Sequence, residues 1–308
     1  MRKVLVTGGG GFIGSHLINQ IVRGHHVEQV VAVDNLRSGT WDNLDVDVSK
    51  VEKSITELST SEWAYLLEGV DTVFHLAAEK YNSPNSTFES IVETNIIATS
   101  RLVEAAVISK CSRFVFSSSL YVYGIPFPVR VTELEAPQPI TNYGMSKLAG
   151  EAIIRTIARE TDLTWNIARL FFIYGPRQYA NGGYRSVIVK NFGLLADSQQ
   201  PEIRGDGRQE LDYVYIDDCV DALIKLATHH SSGAILNVAS GIPLAVNDLV
   251  REMIFVSGRS VEPKFIPKDW THGTSRSGSF DRINSQLGWV PQTDIVSGLQ
   301  KTWEHLIQ

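Results

Sequence analysis

Tyr143 and Lys147 stand four residues apart in the run Asn142-Tyr143-Gly144-Met145-Ser146-Lys147. On a helix that spacing puts both side chains on one face, about one turn apart. An ammonium beside a phenol favours the phenolate and draws the tyrosine pKa down toward neutrality. Such a tyrosine could exchange a proton with a hydroxyl or carbonyl group. Three serines, Ser117 to Ser119, close a β-rich stretch, and a hydroxyl there could hold the oxygen that Tyr143 protonates or deprotonates. A second constellation opens the chain. Gly8, Gly11 and Gly14 fall in a G-x-x-G-x-x-G spacing inside a cluster of four consecutive glycines at 8 to 11. Glycines there permit a tight turn and a close backbone approach to a pyrophosphate, whose charge the N–H groups of a following helix can meet. Asp34 lies 20 residues beyond Gly14; a carboxylate at that spacing accepts hydrogen bonds from a ribose diol and repels a 2′-phosphate. The two features together point to NAD rather than NADP.

These residues need strands and helices in fixed places, and the hydrophobic pattern supplies them. Lys3–Thr7 reads as a buried strand, and Ser15–Arg23 carries a helical stripe at positions 17, 18, 21 and 22. Further strands are predicted at Val27–Asp34, Thr72–Ala78, Arg113–Ser118 and Thr164–Phe172, with helices across Ile91–Ser109 and Tyr143–Arg159. Alternation of this kind implies α/β architecture: a Rossmann-type, doubly wound parallel sheet, with ligands outside the carboxyl ends of its strands. After Gly175-Pro176 the pattern loosens. Helices are expected near 184–195, 217–229, 246–256 and 295–307, with a short strand at 234–239 and a loop over 257–279. The predicted organisation is an NAD-binding Rossmann domain over 1–174, to which the chain returns around 211–240, and a smaller C-terminal α/β substrate lobe over 175–308.

Composition narrows the function. With 308 residues the chain can bury a substantial core without disulfides or a structural metal. Lys+Arg 28 against Asp+Glu 34 gives a net charge of −6, which argues against a partner recognised through its phosphate backbone, so no nucleic acid is expected. No apolar run is long enough to span a bilayer, and the four glycines interrupt what would otherwise begin like a signal peptide. Two cysteines, Cys111 and Cys219, make neither a disulfide framework nor a metal-ligand spacing. The expectation is a cytoplasmic protein with no metal and no membrane partner.

Several stretches carry a resemblance to a known family: T-G-G-G-G-F-I-G (7–14), H-L-A-A (75–78), Asn95, F-S-S-S-L-Y-V-Y-G (116–124), Y-G-M-S-K (143–147), R-L-F-F-I-Y-G-P (169–176), G-D-G-R-Q-E-L-D-Y-V-Y-I-D-D (205–218) and L-G-W-V-P (287–291). The chain resembles, along essentially its whole length, the extended short-chain dehydrogenase/reductase superfamily, in the branch of NAD-dependent sugar-nucleotide epimerases and dehydratases. The resemblance implies Ser119, Tyr143 and Lys147 as the catalytic set, with Tyr143 the base at a sugar hydroxyl and Lys147 also holding the nicotinamide ribose. It implies cofactor contacts from Gly8, Gly11, Phe12, Ile13, Gly14, Asp34, Asn35, Ser38, Ser54, Ile55, Leu76, Ala77, Ala78, Lys80, Asn95, Ser117, Tyr143 and Lys147. His75, at a strand end, reads as a packed and satisfied residue. A homodimer through helices near 91–109 and 143–159 is likewise an expectation by resemblance.

The reaction is narrowed by subtraction. Related 4,6-dehydratases place an Asp-Glu pair just after the catalytic serine or threonine; here those positions are Leu120 and Tyr121. The decarboxylating branch also uses a carboxylate at the second of them. Epimerisation at C4 needs no such group, and Lys80 fits the epimerase pattern. The leading expectation is therefore an NAD-dependent epimerase of a nucleoside-diphosphate sugar. The alternatives are a dehydrogenase, reductase or dehydratase on an atypical sugar or other alcohol, and a non-catalytic NAD-sensing protein. On the substrate side the chain departs from the family. Phe172 stands where Asn is common, Leu211 and Thr271 stand where arginines bind the substrate diphosphate, and Ser54 replaces an Asp beside adenine. Arg204 occupies a position where an aromatic often stacks on the base, and Arg185, Arg208 or Arg276 could supply relocated charge. Lys80, Ser119, Phe172, Arg185, Arg204 and Arg208 are the candidate substrate contacts.

Overall fold

Val4, Leu5 and Val6 are fully buried in the first strand, as expected of a strand covered by helices on both faces. The computed structural model of the protein describes residues 1–80, 86–124, 130–178, 186–229, 233–269 and 273–308. In chain order the first half comprises β1 (Lys3–Thr7), α1 (Phe12–Gly24), β2 (Gln29–Asp34), β3 (Ser49–Glu52), α2 (Thr60–Leu66), β4 (Thr72–His75) and α3 (Phe88–Val92). A π-helical turn over Glu93–Ile97 leads into α4 (Ala98–Ile108), followed by β5 (Arg113–Ser119), α5 (Asn142–Ala158) and β6 (Thr164–Leu170).

These strands form a seven-stranded sheet in the order β3-β2-β1-β4-β5-β6, completed by β10 (Ala234–Val238) beside β6. The registers joining the first six strands are all parallel. Because β2 lies on one side of β1 and β4 on the other, the strand order reverses at the carboxyl end of β1. That switch point is where an open α/β sheet presents its ligand crevice, and it is where the glycine run begins.

Two compact units divide the chain. The first comprises Met1–Gly124, Ala136–Leu170 and Val220–Leu236; the second comprises Ile125–Glu135, Phe171–Cys219 and Asn237–Gln308. The chain re-enters the first unit at Val220, so Glu210–Tyr215, inside the stretch predicted to return, is a strand of the second. The strand expected over 164–172 also ends early. Leu170 closes β6, and Phe172–Tyr174 (β7) pairs instead with β9 (Glu210–Tyr215). Between them lie α6 (Val187–Ala196) and β8 (Glu202–Arg204), and α7 (Ile216–Thr228) follows β9. The second unit is completed by β11 (Pro243–Ala245), α8 (Val246–Ser257), β12 (Lys264–Ile266), β13 (Ser275–Arg276), α9 (Asp281–Leu287) and α10 (Ile295–Ile307). The loop expected over 257–279 therefore contains two short strands, β12 pairing β8 and β13 pairing β9. Its buried organiser is Asp212. Burial raises its pKa, while its carboxylate accepts from the Ser240 hydroxyl and the backbone N–H groups of Ser240, Gly241 and Gly278.

Candidate active site

The glycine turn is built so that nothing larger fits. Gly8 adopts φ +73°, and a Cβ there would meet the backbone nitrogen of Ala77 at 2.9 Å. A Cβ on Gly14 would lie 2.0 Å from the carbonyl oxygen of Gly8. Both positions require glycine, one for its conformation and both for space. The turn delivers the chain to the N-terminus of α1, where Gly11 is the cap residue, no side chain caps it and the first turn holds no acidic residue. Open N–H groups and the positive end of the helix make this an anion cradle. Phe12 and Ile13 form its first turn.

Asp34 ends β2 beside that cradle. Its Oδ2 accepts from the Gly10 N–H at 3.0 Å and its Oδ1 from the Leu36 N–H at 2.8 Å. Burial raises its pKa, and the backbone donors oppose that rise. A carboxylate oxygen holds more than one acceptor site, so Asp34 can take a ribose diol as well. Asn35 turns its Oδ1 onto the Arg37 N–H, and Ser38 is exposed in the same loop. Ser54 bonds Thr56, and Ile55 is buried beneath. The cradle and the acidic strand end fit a dinucleotide.

Where β1 and β4 end side by side, Thr7 and His75 begin a buried hydrogen-bond chain. Thr7 Oγ1 accepts from the N–H groups of Leu76 and Ala77, both at 3.2 Å, so its own proton goes to His75 Nδ1 at 2.7 Å. The other ring nitrogen, Nε2, then carries the hydrogen and donates to Thr99 Oγ1 at 2.8 Å; Thr99 donates onward to the Asn95 carbonyl. Burial, with the Lys147 charge adding to it, lowers the His75 pKa to about 3. The ring is neutral and packed, as its position suggested. Asn95, in the π-helical turn, uses its side-chain amide to clamp the backbone N–H and C=O of Glu79, each at 2.8 Å, and also donates to Ser146 Oγ. Ser146 in turn donates to the carbonyl of Tyr143. A continuous network thus runs from the strand before the glycine turn to the helix bearing Tyr143.

Ser119, Tyr143 and Lys147 come together at the carboxyl end of β5. Ser119 hydrogen-bonds the phenol of Tyr143. Lys147 Nζ donates to the Ser117 carbonyl at 2.8 Å and lies 5.8 Å from the Tyr143 ring centroid. Ser117 Oγ donates to the His75 carbonyl, so it braces β5 against β4. The expected depression of Tyr143 does not appear in this state. Burial pushes the phenol above its usual range, the Tyr121 phenol adds to that, and the Ser119 bond opposes it. Lys147 moves the other way, down to about 7, through burial first and the Lys80 charge second, with Glu151 opposing. Removal from water disfavours each charged form, and it is the largest cause of both shifts. Lys80 itself is reachable by water yet crowded by protein, and the crowding lowers its pKa.

The structure adds Glu151 and Arg169, which the motif reading missed. Glu151 continues the Tyr143, Lys147 spacing by one more turn. It takes a bidentate pair from Arg169, at 2.9 and 2.7 Å, and a bond from Ser118 Oγ. Both side chains are at most 3% exposed. Leu120 and Tyr121, the positions examined for carboxylates, form a short turn: Leu120 is buried and Tyr121 packs edge-on to Tyr143 with ring centroids 6.0 Å apart.

The remaining substrate candidates belong to the second unit. Phe172, in β7, packs against Tyr213. Arg204 faces Asp269 at 3.7 Å, and Arg208, highly exposed, sits 4.0 Å from Asp206. Leu211 and Arg276 are register partners, both buried. Arg185 and Thr271 lie outside the described residues. Among the described residues no group of His, Cys, Asp or Glu could hold a metal ion, and no helix is long and apolar enough to cross a membrane.

A model of the NAD dependent epimerase/dehydratase family matches residues 4–239. UDP-glucose 4-epimerase of Mycolicibacterium smegmatis is 32% identical, over 98% of this chain and 97% of that one. The structure of a UDP-glucose 4-epimerase from Thermotoga maritima, solved with UDP-glucose, superposes with a TM-score of 0.91 at 30% identity, covering 99% of this chain and 98% of that one. UDP-glucuronic acid 4-epimerase of Bacillus cereus, solved with UDP-glucuronic acid and NAD, gives 0.89 at 25% identity over 99% and 98%.

Proposed function

The chain belongs to the NAD-dependent epimerase/dehydratase family, and from that premise we propose that it is an NAD-dependent 4-epimerase of a nucleoside-diphosphate sugar. The observation that carries this reading is the meeting of Ser119, Tyr143 and Lys147 with Leu120 and Tyr121 where an eliminating enzyme needs carboxylates.

In this reading the glycine cradle holds the pyrophosphate, Asp34 takes the adenosine ribose, and Lys147 takes the nicotinamide ribose. NAD, when bound, supplies the hydride acceptor and a positively charged ring that favours the phenolate nearby. Tyr143 removes the proton from the sugar C4 hydroxyl and returns it after the sugar has turned its other face. Ser119, already bonded to Tyr143, holds the same sugar oxygen through both transfers. Lys147, with a pKa of about 7, is poised near neutrality. It tunes Tyr143 through charge without itself moving the substrate proton. Lys80 adds a second cation toward the substrate, and Phe172, Arg204 and Arg208 are our candidates for its nucleotide part.

The cytoplasm is our proposed location, supported by two buried cysteines that remain free. A homodimer is the proposed assembly, in keeping with exposed Phe88 and Ile108 at the two ends of the α3–α4 segment. The deciding experiment incubates the protein and NAD with UDP-, GDP-, CDP- and dTDP-sugars. Inversion at C4 without net NADH is expected. Steady NADH accumulation would instead indicate a dehydrogenase, and an unchanged panel would remove the epimerase reading.

A further inference from the structure

The glycine turn lies between two loops that an ion pair joins. On one side, the loop after β2 folds back over the turn: the Thr40 N–H and the Asn43 side-chain amide both donate to the Gly10 carbonyl at 3.0 Å. A Cβ on Gly39 would lie 2.5 Å from the Gly10 carbonyl, so the loop approaches as closely as the backbone permits. On the other side, the loop after β4 packs Ala77 against Gly8. Arg37 belongs to the first loop and Glu79 to the second, and Arg37 Nη1 meets Glu79 Oε2 at 2.8 Å. Since β1 sits between β2 and β4 in the sheet, a bridge between those loops must cross the end of β1, where the anion cradle opens.

The two ends of the bridge differ. Arg37 is 44% exposed in its side chain, whereas Glu79 is about nine-tenths buried and its backbone is fixed at two points by Asn95. Glu79 Oε1 is buried and has no hydrogen-bond partner among the described residues. A buried anion acceptor left unpaired is costly, and a dinucleotide carries hydroxyl donors of the type that would pair it. A half-exposed ion pair adds little to folding stability, so holding the fold is a poor account of this placement.

We propose that Arg37 and Glu79 form a clasp across the dinucleotide groove that governs how long NAD stays bound. Glu79 is the fixed post, and Arg37 is the movable arm that opens for exchange. This rests on the NAD-dependent epimerase reading, and it suits that reaction. An enzyme that returns its hydride to its own substrate does not need to exchange cofactor between turnovers, whereas a net dehydrogenase does.

The test measures NAD retention rather than turnover. Wild type, Arg37→Gln, Glu79→Gln and the double variant are loaded with NAD and passed through gel filtration. Retained NAD is then released with acid and counted, and its dissociation rate is followed on dilution into an NAD-consuming enzyme. Wild type is expected to keep its NAD, and each single variant to lose it on the order of tenfold faster or more. The double variant should be no faster than the quicker single one, because either substitution alone opens the clasp. Arg37→Lys, which keeps the charge but loses the planar guanidinium, should fall between. Thermal unfolding of the unliganded double variant, in which two amides replace both charges at once, should match wild type. Equal retention by all four proteins, or single effects that simply multiply, would overturn the clasp while leaving NAD binding intact. A wild type that takes up no NAD at all would overturn the cofactor reading, and the clasp with it.

Discussion

Thr7 Oγ1 and His75 Nδ1 lie 2.7 Å apart, and the two backbone N–H groups already directed at that oxygen fix the direction of the bond. The imidazole must accept there and donate to Thr99, so both nitrogens are used and a second ring proton has no acceptor. His75 is thereby locked neutral, with a folded-state pKa near 3 against an ordinary 6.5. Above pH 6.5 neither state binds the extra proton and this group contributes no pH dependence. As the pH falls from 6.5 toward 3 the unfolded chain takes up a proton the folded chain refuses, so stability drops. By pH 4 the loss from this one group is roughly 3 kcal/mol. Urea unfolding across pH 4 to 7 should show that slope in wild type and a flatter one in His75→Gln, after allowing for the latter's lower starting stability.

Tyr143→Phe removes the hydroxyl that bonds Ser119 and that we propose takes the sugar proton. Turnover is expected to fall on the order of 10²–10⁴-fold, with NAD still bound, since the cradle and Asp34 are untouched. Steady-state rates alongside NAD titration separate the two effects. Turnover that survives the substitution would remove Tyr143 from the role of base.

Gly14→Ala should be severe and Gly24→Ala harmless, though both positions are in α1. At Gly14 the new methyl meets the Gly8 carbonyl at 2.0 Å, backbone against backbone, and the cradle must open. An overpacking cost of about 1–3 kcal/mol and loss of NAD binding are expected. At Gly24 a Cβ meets nothing within 4 Å, and the change should be neutral or stabilise by about 0.4–1 kcal/mol through the unfolded chain. Unfolding midpoints and NAD binding of the pair check both statements.

The legible parts of the sequence were those where one requirement dominates. Lys3–Thr7 and Ile295–Ile307 are observed as read, because one is a doubly covered strand and the other a clean amphipathic helix. β3, with the residues Ser-Lys-Val-Glu at the sheet edge, is mostly solvent-facing and left no apolar signature. α2 did carry a start signal, the Ser59–Glu62 capping box, which apolar periodicity alone overlooks. In the site, spacing brought Ser119, Tyr143 and Lys147 to notice, but it could not foresee that burial would reverse the expected shift of Tyr143. Asn95 meets Ser146, and Thr99 meets His75, only through the tertiary fold, so those two joins had no signal in the spacing. Glu151 did have one, since 143, 147 and 151 repeat at helical spacing.

Asp34→Asn keeps the size of the side chain and removes the charge that a 2′-phosphate would face. Gly10 and Leu36 bond different oxygens of the carboxylate, so in the amide one backbone N–H keeps its acceptor, the other faces an NH2 donor, and no acceptor is to spare. NAD affinity should fall and NADP affinity rise. Their ratio is expected to shift by about tenfold or more, equivalent to about 1.4 kcal/mol. Calorimetric titration with each dinucleotide measures the ratio, and an unchanged preference would mean that Asp34 does not discriminate.

Glu151 acts on the site through Lys147 as well as on the fold through Arg169. Burial alone would lower the Arg169 pKa, but the bidentate bonds and charge of Glu151 raise it well above the arginine value, so the guanidinium keeps its charge in the interior. Glu151→Gln leaves that guanidinium buried opposite a neutral amide, which should cost about 3–5 kcal/mol of stability. Glu151 is also the charge that holds the Lys147 pKa up against burial and Lys80. Without it the Lys147 pKa drops below about 7 and the ammonium is lost at a lower pH. If Tyr143 needs that cation, the alkaline fall of kcat should begin at a lower pH in Glu151→Gln, measured at a temperature where the variant is folded. A purely structural role would reduce the amount of active enzyme and leave the shape of the pH profile as it was.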